Sequence, residues 1–393
     1  MRLLPVAHVV FPRPDVLRPV SEIALDAARV VAAMRGVDLE VLVPVPAPGV
    51  RAAQGWVRRS RGLAEVTDAV VSAIRGLDPK PTLVPFIPVP RRSHESAALS
   101  LSAAMIARAP ARRPRWVQGS RLDAAGFAAV FVARSLDVPS IAVALGRDLG
   151  GLDAGRERRV RFATRHATEL LAVTSSVARL LAERGRTAMV VPFGPLPDEL
   201  PLQPAAAHAR ALCVGEVGPS HATIVLLDAF AATSVNGLDE SAELVLVGPV
   251  EPGFDLDRAL RQRSLSARVR YAGDVDRVGL RSFYAESGCV VVPDRSIGVP
   301  GHAVEALLSG RPVVAVEGPG VAELLDESVG RVVPAGDPAS LRRAIGEVLE
   351  RRDRFEGSRL RERGLAFSAD ATRRGLGELT QRLLAREERA ELS

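Results

Sequence analysis

Strand-length apolar runs alternate with helix-patterned segments along almost the whole chain, and this alternation restricts the fold more than any other feature. "RLLPVAHVVF" reads as a strand, "VSEIALDAARVVAAMRG" as a helix closed by Gly36, and "VDLEVLVPVP" as the next strand. Residues 50–115 blur the pattern, because prolines and paired arginines interrupt two helices expected at 62–76 and 95–109. The series resumes with "PRWVQGS", "DAAGFAAVFVARSLD" and "PSIAVALG", then "RRVRFATRHA", "ELLAVTS", "SSVARLLAERG" and "AMVVPFG". A proline- and alanine-rich stretch, "GPLPDELPLQPAAAHAR", breaks it at 194–210, and a second series then runs from "ALCVGEV" to "PASLRRAIGEVLERR".

Strands that are apolar throughout and separated by helices belong in parallel sheets covered on both faces. The expected class is therefore α/β, with two doubly wound, Rossmann-like domains facing each other across a cleft. The first is expected at 1–197, a linker at 198–210, the second at 211–365, and a charged amphipathic helix at 366–393, able to pack back on the first domain. Ligands of such sheets sit beyond the carboxyl ends of the strands.

A chain of 393 residues, 47% hydrophobic and 25% charged, suits two globular domains with large cores. Aromatic residues make up only 4%, so Leu, Val and Ala must fill those cores. The longest apolar runs are far short of the ~20 residues of a membrane helix. The N-terminus has too short an apolar run for a signal peptide and lacks a small-residue cleavage site; it reads as a first strand of a cytoplasmic protein. Cys213 and Cys289 each lie inside a strand-like run and are expected to be buried free thiols.

The net charge of +6 hides an asymmetry. The first 197 residues hold 28 Lys and Arg against 16 Asp and Glu, and the remainder 24 against 30, so the halves carry +12 and −6. A basic first half implies an anionic partner there. Lys80 is the only lysine, however, and so strong an arginine bias also fits a coding preference.

The most informative stretch is "IGVPGHAVEALLSGRPVVA", Ile297 to Ala315. A strand is expected to end at Pro293, a loop to span 294–301 and a helix to begin near Gly301. Small residues let a ligand approach the backbone, and the first amides of the helix favour an anion, above all a phosphate. Glu305 closes the first turn, where its carboxylate would suit the two hydroxyls of a ribose. Together these describe a nucleoside diphosphate. The alternative is a helix whose acid merely complements the dipole.

The longer stretch "PDRSIGVPGHAVEALLSGRPVVAVEGPGVAELLDESVGRVVPAGDPASLRRAI" resembles the donor-binding signature of family-four glycosyltransferases. Gly298, Pro300, Glu305, Ala306, Gly310, Pro312, Val313, Ala315, Glu323, Gly330, Pro334, Gly336 and Asp337 stand in its register. "DAAGFAAVFVARSLDVPSIAVALGRDL" resembles the family's acceptor domain. The likeness covers most of residues 1–350 and is weakest at 50–115.

The resemblance implies a GT-B fold and transfer of a sugar, with retained configuration, from a nucleotide-diphosphate sugar to a polysaccharide or lipid-linked glycan. It implies no metal and no other cofactor. The donor diphosphate would rest on the turn holding Gly298, Pro300 and Gly301, with Glu305 on the ribose. Backbone near Gly215, Gly248 and Gly273 would frame the nucleotide.

The signature is broken where it meets phosphate. The family's Gly-Arg after the first strand of the second domain, and a Lys five residues on, are replaced here by Glu216 and His221. Ile297 stands where the first Glu of a glutamate pair is usual, and "FPRPDVLRPV" lacks the glycine pair after the first strand. Arg295 and Arg147 are candidate replacement cations, and His221 or His302 candidate phosphate donors. Asp148 is the candidate site acid near the acceptor sugar, or alternatively a loop or cap acid. A non-catalytic relative acting as partner or scaffold of an active transferase is the competing reading.

In the basic half, Trp56 stands among Arg51, Arg58, Arg59 and Arg61, and "RAPARRPRW" repeats the mixture at 108–116. Arginines with an interfacial tryptophan suit peripheral attachment to an anionic membrane surface; the alternative is a solvated arginine face. Nucleic acid is not expected, since no stacking aromatics accompany the charge.

Overall fold

The computed structural model describes residues 4–9, 37–46, 82–86, 93–108, 111, 113–150, 153–204, 209–231, 238–239, 241–295 and 298–391. They fall into two compact units, 1–193 with 371–393, and 194–370.

The first unit carries β1 (Leu4–Val9), β2 (Val37–Pro46), β3 (Thr82–Phe86), α1 (Ser93–Arg108), β4 (Trp116–Gly119), α2 (Ala124–Leu136) and β5 (Ser140–Ala144). After them come α3 (Ala154–His166), β6 (Glu169–Ala172), α4 (Ser175–Glu183) and β7 (Met189–Val190). The seven strands lie in the order β3-β2-β1-β4-β5-β6-β7, all parallel. One face of the sheet is packed by alanine-rich helices: Ala98, Leu101 and Met105 of α1 and Ala128, Ala129, Val132 and Ala133 of α2 meet Val9, Leu42 and Val117.

The second unit holds β8 (Arg210–Val214), α5 (Thr223–Ala231), β9 (Glu243–Val247), α6 (Leu256–Gln262), β10 (Val269–Tyr271), α7 (Arg277–Glu286) and β11 (Cys289–Val292). Next are α8 (Gly301–Leu308), β12 (Val313–Val316), α9 (Pro319–Leu324), β13 (Gly330–Val333), α10 (Pro338–Glu350) and α11 (Gly357–Leu365). The strand order is β10-β9-β8-β11-β12-β13, again parallel. Alternate residues feed two cores, as a strand's period of two requires. Leu244, Leu246, Val291 and Val314 join one, and Val245, Val247, Val290 and Val313 the other.

The stretch read as a linker belongs to the second unit. Leu200 lies in its core, and Arg361 donates to the carbonyls of Pro197, Leu200 and Leu308, which ties 197–200 to α8 and α11. The closing helix α12 (Ala369–Glu391) lies on the first unit. There the Thr372 hydroxyl donates to the Pro192 carbonyl, Gly375 meets Val191, and Arg386 pairs with Glu169.

Arginine has a constant structural use in this fold. Arg113 donates to the carbonyls of Leu136 and Asp137, Arg186 to those of Thr164, Arg165 and Ala167, and Arg342 to those of Ala229 and Leu238. Helix C-termini leave carbonyls without intrahelical donors, and a guanidinium fork satisfies several at once. These three guanidinium groups are therefore committed to holding the fold. The two cysteines are free, and burial pushes both thiols up to about 12, with the Asp294 carboxylate adding to the effect at Cys213.

Candidate functional site

The order of the second sheet locates the site. Strand progression reverses between β8 and β11, and the crevice beyond their carboxyl ends is the place where such sheets bind ligands. The two loops that open there are 215–222 after β8 and 293–300 after β11.

After β11, Pro300 caps α8 in an extended conformation (φ −66°, ψ 124°), and the helix starts at Gly301. The amides of Ala303 and Val304 are taken up by the Pro300 carbonyl. Those of Gly301 and His302 come before any intrahelical acceptor and so face outward at the positive end of the helix. A Cβ on Gly301 would meet nothing within 4 Å, so the surface here is open. The turn at Gly298 is fixed by α9: a Cβ on Gly320 would stand 2.2 Å from the Gly298 carbonyl.

After β8, three glycines line the strand ends. Gly215, Gly248 and Gly273 have φ of 141°, 135° and 80°, values open to glycine and costly for other residues. The Gly215 amide donates to Val247 O, and that of Gly248 to Gly273 O. The Tyr271 hydroxyl donates to Gly248 O at 3.0 Å. Beyond this lip, His221 Nε2 lies 3.8 Å from Glu216 Oε2, so the two departures from the family pattern face each other. Glu251 accepts from the amide and hydroxyl of Ser220, and these bonds hold its carboxyl below the usual range.

Glu305 is only 9% exposed. The buried Tyr284 hydroxyl donates to its Oε2 at 2.7 Å, and Arg277 Nη2 is 3.8 Å from Oε1. Arg277 also reaches Glu199 at 3.5 Å. The crevice among Glu199, Arg277, Tyr284 and Glu305 has a volume of about 10 Å³, room for little more than a water.

His302 is half-buried, and burial pushes its pKa down while the Asp294 carboxylate pulls it up. A histidine held neutral by the fold favours folding at higher pH, because the unfolded chain binds the extra proton first. Stability is therefore expected to fall as the pH drops below about 6.5, the ordinary value for histidine. The decrease in melting temperature between pH 7 and pH 5 should be smaller in His302→Asn than in the natural protein. Equal decreases would remove the assignment.

Asp148 requires a correction. It is 0% exposed and accepts from Arg121 Nε at 3.1 Å and Nη2 at 2.5 Å, and from the amides of Leu122 at 3.2 Å and Leu145 at 3.1 Å. Four donors exhaust the carboxylate, and no face remains for a substrate. Its place is to tie the turn after β5 to the loop after β4, the switch-point strand of the first sheet.

Arg295 is exposed beside Asp294. Arg147 lies in the turn Gly146–Asp148, and its side chain falls outside those described. Trp56, Arg58, Arg59 and Ile297 fall outside the described residues.

Tyr284, Arg277 and Gly320 are the contributors that sequence reasoning passed over. The signal for Tyr284 was its rarity: it is one of two tyrosines, placed on a helix, and a buried tyrosine hydroxyl needs a partner. Among the described residues no group of His, Cys, Asp and Glu is spaced to hold a metal ion, and no helix is long and apolar enough to cross a membrane.

Residues 208–351, most of the second unit, match the family described as "Glycosyl transferases group 1". A phosphatidyl-myo-inositol mannosyltransferase of Mycobacterium leprae is 32% identical over 162 residues, 40% of this chain and 39% of that protein. A D-inositol 3-phosphate glycosyltransferase of Geodermatophilus obscurus is 30% identical over 228 residues, 52% of this chain and 50% of its own length. The matches thus span half or less of these curated relatives.

Among solved structures, sucrose-phosphate synthase from Thermosynechococcus elongatus superposes with a TM-score of 0.73 at 17% identity, covering 97% of this chain and 99% of that one. Anabaena HepE in complex with UDP gives 0.71 at 15%, covering 96% and 100%. The fold is of the GT-B type.

Proposed function

We propose that this protein transfers a glycosyl group from a nucleotide-diphosphate sugar to a glycan or lipid-linked acceptor, with retention of configuration. One observation carries the reading: the switch point of the second sheet opens between a glycine lip and a helix N-terminus with two outward amides. Relatives whose names include inositol phosphate and phosphatidylinositol support an acceptor bearing a phosphorylated polyol. The UDP and UDP-glucose complexes of HepE support a nucleotide-sugar donor. The acceptor would be met by the first unit, at the cytoplasmic face of a membrane.

In this reading the diphosphate lies on the amides of Gly301 and His302, where the helix dipole stabilises the charge that develops on the departing nucleotide. His221 donates to a phosphate oxygen from the opposite loop, its pairing with Glu216 keeping the ring aimed at the lip. Arg295 adds a cation from the loop before α8. The ribose is placed toward Glu305, whose carboxylate is oriented by Tyr284 and Arg277. No step is assigned to a metal or to any other cofactor.

Calorimetric titration with UDP and with GDP tests the donor site. Glu305→Ala should weaken the preferred nucleotide at least tenfold, as loss of hydrogen bonds to a charged group of about 1.5–3 kcal/mol implies. Tyr284→Phe, which keeps the ring and loses the hydroxyl, should weaken it less. Absence of heat with either nucleotide at millimolar concentration would overturn the reading.

A further inference from the structure

The second unit holds a basic cavity separate from the donor crevice. It lies at the amino end of β13, whereas the crevice opens beyond the carboxyl ends of β8 and β11. Its volume is about 290 Å³, near the lower end of the range for small-molecule pockets. Four arginines line it: Arg331 on β13, Arg351 just past α10, Arg354 in the turn 352–354 and Arg359 on α11. Only two acids, Glu327 and Glu356, share the lining, in a half of the chain whose net charge is −6. Elsewhere in the fold arginines close helix carbonyls or pair with acids, and two of these do neither. Arg331 is held by Glu347 at 2.8 Å, and Arg351 stands 3.8 Å from the same carboxylate. Among the described residues Arg354 has no side-chain partner, and Arg359 donates only through Nε, to the Ser328 hydroxyl at 3.1 Å. Both terminal nitrogens of Arg359 therefore remain unused. The Leu349 carbonyl at the end of α10 is taken by Arg352, which blunts the negative end of that helix here. Phe355 supplies an apolar wall, half-buried, with the Arg331 guanidinium 5.5 Å from its ring centre.

We infer that this cavity binds a small phosphorylated sugar, its phosphate on Arg354 and Arg359, its hydroxyls on Glu327 and its apolar face on Phe355. A guanidinium fork matches two phosphate oxygens, and cations gathered without acids between them gain most from an anion. The Glu327 carboxylate has no partner among the described residues and can accept hydroxyls, which a bare phosphate lacks. Inorganic phosphate would also leave most of the volume and the Phe355 wall unused. The adjoining hollow shares Ser328 and Arg359 but adds Asp326, Glu362 and Arg363, so its arginines and acids balance. The anion therefore belongs on the Arg354 side. The inference goes beyond the proposed transfer reaction and does not depend on it, because the cavity is built from the opposite edge of the sheet.

The test is calorimetric titration of the full chain with glucose 6-phosphate, glucose and inorganic phosphate. Glucose 6-phosphate is expected to bind about tenfold or more tighter than inorganic phosphate, and more weakly as salt is raised, while glucose gives no heat. Arg354→Ala/Arg359→Ala should weaken glucose 6-phosphate at least tenfold, since two charge-assisted contacts are lost. Both side chains are exposed, so the melting temperature should not move. Glu305→Ala, at the donor crevice, should leave this binding unchanged. No heat from glucose 6-phosphate at millimolar concentration, or equal binding of inorganic phosphate or of glucose, would overturn the inference. Undiminished binding by the double variant would overturn it as well, by placing the phosphorylated sugar elsewhere on the chain. UDP titration of the double variant should match the natural protein, so failure of the donor site and failure of this cavity read out separately.

Discussion

Asp148→Ala is expected to destabilise the first unit by about 3–5 kcal/mol, the range for breaking a buried charge pair on one side. Four donors lose their acceptor at once: two guanidinium nitrogens of Arg121 and the amides of Leu122 and Leu145. Arg121 is 17% exposed, so water cannot fully replace the lost partner. Asp148→Asn should cost less, because it keeps the shape and one acceptor, yet it places an NH2 group against donors. Urea unfolding of the three proteins measures the order directly. If Asp148→Asn left stability untouched and abolished turnover at unchanged KM, the buried pair would be incidental and Asp148 would be a reacting acid.

The second large effect is expected at Gly248. A Cβ there would stand 2.0 Å from the Gly215 carbonyl oxygen, and the backbone is at φ 135°. Strain of this kind costs about 1–3 kcal/mol, and overpacking adds a similar amount. Gly248→Ala should therefore lose several kcal/mol of stability and push the strand ends apart, weakening nucleotide binding with it. Gly301→Ala is the control: its Cβ would meet nothing within 4 Å, and alanine suits a helix start better than glycine, so stability should hold. Should Gly248→Ala melt like the natural protein, the lip is softer than its geometry indicates.

The two results depend on different kinds of information. The glycine positions were legible as a pattern, because positive φ and close backbone approach select glycine locally. The start of α8 at Gly301 was legible for the same reason, since proline and glycine fix their own dihedrals. The cores followed from period, and valine-rich strands with apolar residues on both sides had to be covered twice. Asp148 was misread as a site acid because its partners, Arg121 and Leu122, lie 27 and 26 residues away across two strands. Tyr284 was missed because its partner Glu305 is 21 residues on. The linker was misplaced because Arg361, which ties it to the second unit, is more than 160 residues beyond Pro197.

By itself the sequence determined two α/β series, their parallel strands and the glycine turn that opens α8. Only the tertiary structure decided that β8 lies beside β11, that Glu216 faces His221, and that arginines close helix ends. Secondary structure is set by side-chain periodicity and dihedral preference within a few residues. Which polar group meets which is set by the order in which strands cross over, and that order is chosen by the burial of the whole sheet.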